Sequence, residues 1–351
     1  MPGRIDTLTI DSAALAANPL GDPARRHVPV WLPPSYDDDA AGASGGGAGR
    51  RFPVIYWLAG FTSTGASLFQ DNPWQPGLGR RLDDLVSSGA MGEVIVVAPD
   101  CFTRFGGSQY LDSPASGLYE THLCRELVPE VDRRYRTQAT RDSRGIGGKS
   151  SGGFGALVLA MRNPDLFAAV ASHAGDAYFE LSVLGLIPAT VRALRRHGGV
   201  QPFLRQFEDK ASKRAEDIET MSMLALCAAY APDPALPDGF ALPFDPDTGE
   251  IVEATWRRFK AWDPVEMVNE HGAALRRMRL VYLDAGTRDE WALDLGARIL
   301  AQRLRRLDVA VDHQEFDDGH RNTSYRYVVS LPKMAAALGA VPGMAAARAP
   351  S

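Results

Sequence analysis

The pentapeptide Gly148-Lys149-Ser150-Ser151-Gly152 has residue types and a spacing that suit nucleophilic catalysis. The residues before it predict a short strand over 142–146, and those after it predict a buried helix over 151–161. A serine on a sharp turn between a strand and a helix forms a nucleophile elbow, which leaves room only for glycine two residues before and after it. Ser150 meets this rule, whereas Lys149 stands two residues before Ser151, so Ser150 is the predicted nucleophile.

A serine nucleophile needs a base to remove its proton and an acid to orient the base. The turns that follow parallel strands meet at one edge of a sheet. Asp284 and Asp289 follow a predicted strand that ends near Leu283, and His320 follows the last predicted strand. The order Ser, Asp, His is that of α/β-hydrolases. His320 is therefore the predicted base, and either aspartate can be the acid.

Backbone donors for an oxyanion are predicted at two turns. The segment Ala59-Gly60-Phe61 follows an early apolar run over 52–58, where hydrolases place one donor. The other donor is the N–H group after the nucleophile, at a helix N-terminus whose partial positive charge favours an anion. We assign the two donors to the backbone N–H groups of Phe61 and Ser151.

Strand patterns alternate with helix patterns, which predicts a mostly parallel sheet with right-handed crossovers and helices on both faces. The alternation stops between residues 176 and 263, where helical periodicity and a proline-rich loop predict an insertion that acts as a lid or one wall of a pocket. We assign the core to residues 1–175 and 264–339, the insertion to 176–263 and a flexible tail to 340–351. The run 37–51, rich in Gly and Ala, is predicted to be a surface loop.

The strands are predicted over 4–10, 27–32, 52–58, 94–98, 142–146, 167–172, 280–284 and 309–316. The helices are predicted over 77–88, 118–135, 151–161, 183–197, 203–213, 215–229 and 291–304, with a last helix that ends near Leu338.

Seven segments together resemble the putative-esterase family of α/β-hydrolases, which includes esterase D (S-formylglutathione hydrolase), feruloyl esterases, enterochelin esterases and mycolyltransferases. They are WLAGFTSTG, GGSQYLDS, ELVPEVDRRYRT, GGKSSGGFGAL, SHAGDAYFE, LDAGTRDE and DDGH, within residues 5–335. The resemblance implies an eight-stranded α/β-hydrolase sheet, no cofactor and acyl transfer to water. It also implies Ser150 as nucleophile, His320 as base and Asp289, the aspartate of the GxxD pattern, as acid.

The substrate prediction is a short-to-medium acyl carboxylic ester. Ser63 and Lys149 replace the cysteine and histidine that S-formylglutathione hydrolases carry, and the insertion is longer than theirs. Thioester hydrolysis and feruloyl ester hydrolysis are therefore kept as alternatives. The pocket is predicted to be apolar with few fixed charges, and four aromatic residues are assigned to it: Tyr110, Tyr178, Phe179 and Trp291.

Composition excludes several other classes. The chain of 351 residues has a net charge of −5, which provides no basic field for nucleic acid. No apolar run is long enough to span a membrane, and three widely spaced cysteines predict reduced thiols and a cytoplasmic location. No HExxH motif occurs, so no metal site is predicted. The expected partner is a small-molecule ester, and the sequence allows a homodimer.

Two alternatives belong to other functional classes. Gly148-Lys149-Ser150 fits the end of a phosphate-binding loop, but Ser143 stands where that loop needs its first glycine. An NTPase would also leave His320 without a role. A non-catalytic binding module with the hydrolase fold would usually lack one catalytic residue, and all three types are present here.

Overall fold

A mixed sheet of eight strands forms the centre of the molecule in the computed structural model, which describes residues 2–37 and 49–342. The strand order is β1-β2-β4-β3-β7-β8-β9-β10, and β2 is antiparallel to both of its neighbours while the strands from β4 to β10 are parallel. The bounds are β1 Arg4–Asp11, β2 Arg25–Leu32, β3 Val54–Leu58, β4 Ile95–Val97, β7 Arg144–Lys149, β8 Ala169–His173, β9 Leu280–Gly286 and β10 Asp312–Phe316. A separate hairpin pairs β5 Asp112–Ser113 with β6 Gly117–Leu118. The predicted α/β-hydrolase sheet is confirmed.

Helices cover both faces of the sheet, which explains why the central strands are apolar throughout. In β3, Val54, Tyr56 and Leu58 belong to one hydrophobic cluster, whereas Ile55 and Trp57 belong to the cluster on the other face. Helices α1 Leu78–Ser87 and α12 Tyr327–Ala337 contribute to the second cluster, and α4 Ser151–Arg162 contributes to the first. The helical segment that crosses from the hairpin to β7 consists of α2 Tyr119–Thr121, a π-helical stretch His122–Leu127 and α3 Val128–Arg134.

Six α-helices lie between β8 and β9, and the first five of them fall in the predicted insertion 176–263. They are α5 Phe179–Ser182, α6 Ile187–His197, α7 Val200–Asp209, α8 Ala215–Tyr230, α9 Glu253–Lys260 and α10 Pro264–Arg276, and α11 Leu293–Arg306 follows β9. Three of these helices, α5, α9 and α10, were not predicted, and α10 lies in the segment assigned to the core. Asp263 caps α10 by accepting the Val265 N–H at 2.9 Å, ahead of a proline at the first helical position. This aspartate–proline pair is a helix start signal in the sequence.

Parts of two predicted segments fall outside the described residues. The predicted surface loop 37–51 is described only at Asp37 and from residue 49, and the predicted tail only as far as residue 342. Within that tail the structure corrects the prediction at Ala340, which is buried in the second cluster. None of the helices among the described residues is long and apolar enough to cross a membrane.

Candidate active site

Ser150 occupies the turn between β7 and α4 with φ 57° and ψ −126°, a conformation that is strained for a residue with a side chain. The Ser150 N–H donates to the His173 carbonyl oxygen at 2.9 Å, and the Phe154 N–H donates to the Ser150 carbonyl oxygen at 2.9 Å. The strand that leads to this turn is shifted from its predicted span because residues Arg141–Ser143 form a 3-10 turn and pairing begins only at Arg144.

The glycines around Ser150 are required by close backbone contacts. A Cβ atom at Gly148 would lie 2.5 Å from the Leu58 carbonyl oxygen, and one at Gly152 would lie 2.3 Å from the same atom. Both distances are shorter than real Cβ contacts, so β3 leaves room only for glycine at these two positions. The steric reason inferred from the sequence is confirmed, and the positive φ of Ser150 is that of a nucleophile elbow rather than of a phosphate-binding loop.

Asp289 and His320 form a buried pair on two neighbouring loops at the carboxyl edge of the sheet. Asp289 Oδ2 lies 2.8 Å from His320 Nδ1, and Asp289 Oδ1 accepts the Trp291 N–H at 2.9 Å. The Glu290 carboxylate accepts the His320 backbone N–H at 2.7 Å, and this hydrogen bond lowers the pKa of Glu290. The two loops are therefore joined by two hydrogen bonds, one to the imidazole and one to the backbone of His320. An Nδ1–H that donates to Asp289 leaves His320 Nε2 as an acceptor.

His320 and Ser150 line the same cavity. Among the described residues, no direct hydrogen bond joins the Ser150 hydroxyl to the imidazole. Such contacts are often long in unliganded enzymes and shorten when substrate binds.

Asp284, the other candidate acid, lies in a different environment. Asp284 Oδ1 is 2.7 Å from His173 Nδ1, while Asp284 Oδ2 accepts from the Tyr282 hydroxyl at 2.7 Å and from Arg326 Nε at 3.0 Å. Burial acts to raise the pKa of Asp284, but the His173 charge and these hydrogen bonds outweigh it and hold that pKa below its usual range. Asp284 is thus engaged away from His320.

A second Ser–His–Asp chain results from this arrangement. His173 Nε2 is 2.7 Å from the Ser330 hydroxyl, so Ser330, His173 and Asp284 follow one another in the order of a catalytic triad, although the contact of His173 Nδ1 with Asp284 Oδ1 lacks hydrogen-bond geometry. Their exposed fractions are 0%, 2% and 1%, which leaves no access for a substrate. The chain joins β8, β9 and α12 beneath the elbow, and we assign it a structural role.

The two predicted oxyanion donors border the cavity, near the nucleophile. Phe61 and Ser151 line the same cavity as Ser150, and a Cβ atom at the neighbouring Gly60 would lie 3.5 Å from Ser150 Cβ. Within the part of the chain that the structure describes, the N–H groups of Phe61 and Ser151 donate to no protein acceptor. Both N–H groups are thus available to a bound anion.

Tyr110 does not line the cavity, which corrects the sequence prediction. Its hydroxyl donates to the Ala59 carbonyl oxygen at 2.6 Å, and its ring fills the space left by Gly155, where a Cβ atom would lie 2.4 Å from the ring. Gln109 and Tyr110 both have positive φ, at 52° and 60°. This strained turn directs Tyr110 beneath the loop of the oxyanion donors, so that it supports the site from behind.

Tyr178 and Phe179 are also absent from the cavity lining, whereas Trp291 is part of it. The Asp263 carboxylate accepts the Tyr178 and Phe179 N–H groups at 3.0 and 2.8 Å, which directs this turn into the protein interior. The Phe179 ring, fully buried, stacks on Tyr230 with 5.3 Å between centroids. Trp291 instead packs edge-on against the His320 ring at 4.8 Å.

The cavity has a volume of about 660 Å³, within the size range of small-molecule sites. The insertion forms one wall with apolar side chains from α8 and from the segment after α5: Val183, Leu186, Ile218, Ala225 and Leu226. Contrary to the prediction of few fixed charges, six charged residues also line it: Lys149, Asp176, Lys213, Arg214, Glu219 and Arg321. Two other arginines do not line the cavity. Arg104 forms an ion pair with Glu208, and Arg288 forms one with Asp317.

Two of these charges lie next to the elbow. Burial lowers the pKa of the Lys149 ammonium, against the opposing effect of the Asp289 and Glu290 carboxylates. Burial raises the pKa of Asp176 to about 6. Sequence reasoning missed Asp176 and also Gln109, whose side-chain carbonyl accepts from the Ser151 hydroxyl. Both residues belong to segments that resemble the family, and this resemblance was the only indication in the sequence that they lie at the site.

No group of His, Cys, Asp and Glu residues within residues 2–37 and 49–342 has the arrangement of a metal site. Ser150, Phe61 and Ser151 line the cavity together with His320, whose imidazole is held by Asp289.

Comparison with known proteins gives a family for this chain. The model of the family described as putative esterase matches residues 23–338. An esterase of Mycobacterium tuberculosis is 30% identical over 202 residues, which cover 54% of this chain and 41% of that protein. The chain thus spans about two fifths of that relative's length.

Solved structures resemble it over almost the whole chain. A ferulic acid esterase has a TM-score of 0.59 and 20% identity, with 96% of this chain and 99% of that chain covered. An S-formylglutathione hydrolase from Agrobacterium tumefaciens has a TM-score of 0.56 and 17% identity, with 97% and 96% covered. These likenesses establish the fold, and the family match covers most of the sequence. The chain therefore belongs to the putative esterase family and has the α/β-hydrolase fold.

Proposed function

We propose that the protein is a serine carboxylesterase that hydrolyses short-to-medium acyl esters through a covalent acyl-enzyme on Ser150. The observation that carries the proposal is the shared cavity of the strained Ser150 and of His320, whose Nδ1 lies 2.8 Å from Asp289. A serine becomes a nucleophile when a base oriented by an acid can take its proton. Ser150, His320 and Asp289 are thus the proposed catalytic triad.

In the first step, the Ser150 hydroxyl oxygen attacks the ester carbonyl carbon while His320 Nε2 takes the hydroxyl proton. The carbonyl oxygen becomes an oxyanion and accepts hydrogen bonds from the Phe61 and Ser151 N–H groups. The positive charge on His320 is stabilised by Asp289. His320 then gives its proton to the leaving alcohol, and in the second half a water molecule, activated by the same imidazole, releases the acid.

The cavity supports the preference for short-to-medium acyl groups. Its volume of about 660 Å³ is bounded on one side by the helical insertion, which limits the length of chain that fits. We expect kcat/KM for p-nitrophenyl esters to rise from acetate to a maximum at medium length and to fall by laurate. A continued rise to laurate and beyond would contradict the limit set by the insertion.

The test of the triad is labelling with a fluorophosphonate together with the variant Ser150→Ala. Wild-type protein should be labelled with one reagent per chain and should release a burst of p-nitrophenol from p-nitrophenyl butyrate. Ser150→Ala should fold normally and lose both properties. Ser151→Ala is the matched comparison because it keeps its backbone N–H group, and it should retain far more activity. Wild-type turnover by Ser150→Ala would overturn the proposal.

A second candidate is hydrolysis of S-formylglutathione, favoured by the exposed cations Lys213, Arg214 and Arg321 at the rim of the cavity. These residues offer partners for the two carboxylates of glutathione. The comparison is kcat/KM for S-formylglutathione against p-nitrophenyl butyrate. A preference of about a hundredfold for the thioester, equivalent to about 2.7 kcal/mol of transition-state binding, would replace the carboxylesterase proposal.

The proposed location is the cytoplasm. Cys101, Cys124 and Cys227 are all buried and free, as expected in a reducing compartment. Fractionation of cells that express the natural gene tests this, and recovery of the protein outside the cytoplasm would contradict it.

A further inference from the structure

Asp176 places a carboxylate in the cavity beside the nucleophile. The preceding residue, Gly175, packs directly on α4, since a Cβ atom at Gly175 would lie 2.8 Å from the carbonyl carbon of Gly153. Asp176 lines the same cavity as Ser150 and His320. Its carboxylate is therefore within reach of a substrate bound at the elbow.

The Asp176 carboxylate has no cationic partner. Among the described residues it takes part in no ion pair and forms no hydrogen bond with a protein donor, although the Gln109 side chain, which lines the same cavity, acts to lower its pKa. Gln109 is itself engaged, because its amide N–H donates to the Tyr230 hydroxyl at 2.9 Å and its carbonyl accepts from Ser151. Asp176 is only partly exposed, and a carboxylate that is partly removed from water and has no protein partner gains more from a donor on a ligand than a fully solvated one does.

The charges around Asp176 favour a donor or a cation and disfavour an anion. Besides His320, the charges that act on it are those of the carboxylates Asp289 and Asp263, which raise the pKa of Asp176. Four cations line the same cavity, but among the described residues none of them forms an ion pair with Asp176: Lys149, Lys213, Arg214 and Arg321.

Part of the cavity wall is apolar. The aliphatic residues Val183, Leu186 and Leu293 line the same cavity as Asp176. A cavity that combines a carboxylate without a partner and aliphatic side chains fits a substrate group with an apolar body and one polar end. In sites of this kind, a few polar groups give orientation and specificity.

We propose that Asp176 is a specificity-determining residue, which accepts a hydrogen bond from a hydroxyl or protonated amine on an otherwise apolar part of the ester. The proposal rests on the esterase function proposed above. Because a hydrogen bond to a charged group is strong, such a donor should improve kcat/KM by about 10- to 100-fold over the same substrate without it. A carboxylate at the same place should be rejected.

The test uses matched methyl esters that differ only at the far end of the acyl chain. Methyl esters of four- to eight-carbon acids that end in a methyl, hydroxyl, ammonium or carboxylate group form the acyl-side series. Acetate esters of alcohols with the same four ends form the alcohol-side series. Wild-type protein should prefer the hydroxyl or ammonium end in at least one series, which also identifies the half of the ester that meets Asp176.

The variant Asp176→Asn keeps the shape of the side chain and removes its charge. It should fold as well as wild type, lose the preference for ammonium by about tenfold or more and accept the carboxylate end better. Asp165→Asn, at an exposed ion pair with Arg277, is the matched control and should leave all preferences unchanged. Preferences in Asp176→Asn that stay within about twofold of wild type in both series would overturn the proposal. Failure of the esterase proposal is distinguishable, because wild type would then hydrolyse the methyl-terminated esters no faster than Ser150→Ala.

Discussion

Asp284 and Asp289 follow the same strand, but we predict that changing each to asparagine lowers a different property, stability for Asp284 and turnover for Asp289. The hydrogen bonds of Asp289 join it to the following backbone, at Trp291 and Leu293, and to the imidazole of His320. Asp284 instead joins His173, Tyr282 and Arg326 in the interior. The paired variants Asp284→Asn and Asp289→Asn therefore separate a role in stability from a role in turnover.

Asp284→Asn should act mainly on the free energy of unfolding. Asp284 is 1% exposed, and loss of its charge leaves Arg326 and the His173 ring without their anion. Breaking a buried ion pair by removing one partner costs about 3–5 kcal/mol, a large part of the total stability of a domain. The turnover of the molecules that remain folded should fall by less than about tenfold, because the Asp289–His320 pair is intact.

Asp289→Asn should act mainly on turnover. An asparagine at this position can no longer hold the imidazole in the tautomer with a proton on Nδ1, nor stabilise its charged form. In a comparable triad this change lowers kcat by about 10⁴-fold, equivalent to about 5.4 kcal/mol of transition-state stabilisation. The free energy of unfolding should change by less than with Asp284→Asn, since an asparagine at 289 keeps an oxygen for the Trp291 N–H and leaves no arginine without its anion.

The assay combines urea unfolding followed by circular dichroism with kcat for p-nitrophenyl butyrate, corrected for the folded fraction. Ser330→Ala serves as a control for the buried chain, because it removes only the hydroxyl next to His173 Nε2 and should cost about 1–3 kcal/mol of stability with little effect on kcat. The reasoning is refuted if Asp284→Asn loses turnover by a thousandfold at wild-type stability while Asp289→Asn remains active.

Three further predictions follow from single contacts. Tyr110→Phe leaves the Ala59 carbonyl oxygen without its 2.6 Å hydrogen bond. We therefore expect a loss of about 1–3 kcal/mol in unfolding free energy and a lower kcat at similar KM. An unchanged kcat would contradict the supporting role of Tyr110. Gly152→Ala places a Cβ atom 2.3 Å from the Leu58 carbonyl oxygen, so labelling by fluorophosphonate should be lost, and normal labelling would show that the elbow can relax. The pKa of Asp176 is raised to about 6 in the folded protein, so the folded state holds this proton more tightly than the unfolded state does. The free energy of unfolding should therefore fall as pH rises from about 4 to about 6, by at most about 3 kcal/mol. Asp176→Asn should therefore gain stability relative to wild type between pH 4 and pH 7 in urea unfolding, and a constant difference would refute the shift.

The sharp turn at Ser150 could be predicted from the sequence because its signals are local. The glycines at 148 and 152 report a steric requirement within two residues of Ser150, and β3 imposes that requirement in the structure. The sheet was likewise predictable, since a strand buried on both faces is apolar throughout, as β3 is. Helix α10 was missed although Asp263 and Pro264 mark its start, so this error was one of interpretation.

The choice between Asp284 and Asp289 could be made from the sequence only by family resemblance, because both follow the same strand. Pairing between β8 and β9 places His173 directly beside Asp284, and this register commits Asp284 to the interior. Asp289 lies beyond the end of the strand, where the loop brings it to His320, 31 residues further along the chain. No pattern within one segment encodes the distance between two segments.

The lining of the cavity was decided by the tertiary structure alone. Tyr110, Phe179 and Trp291 are all aromatic residues on turns at the same edge of the sheet, yet only Trp291 faces the cavity. Asp263 holds the backbone at Phe179 so that its ring packs on Tyr230, and a strained turn directs Tyr110 beneath the Ala59 loop. Local sequence determines the conformations that a few consecutive residues can adopt. The direction of a side chain at a strand end depends on partners tens of residues away, which are brought close only when the whole chain has packed.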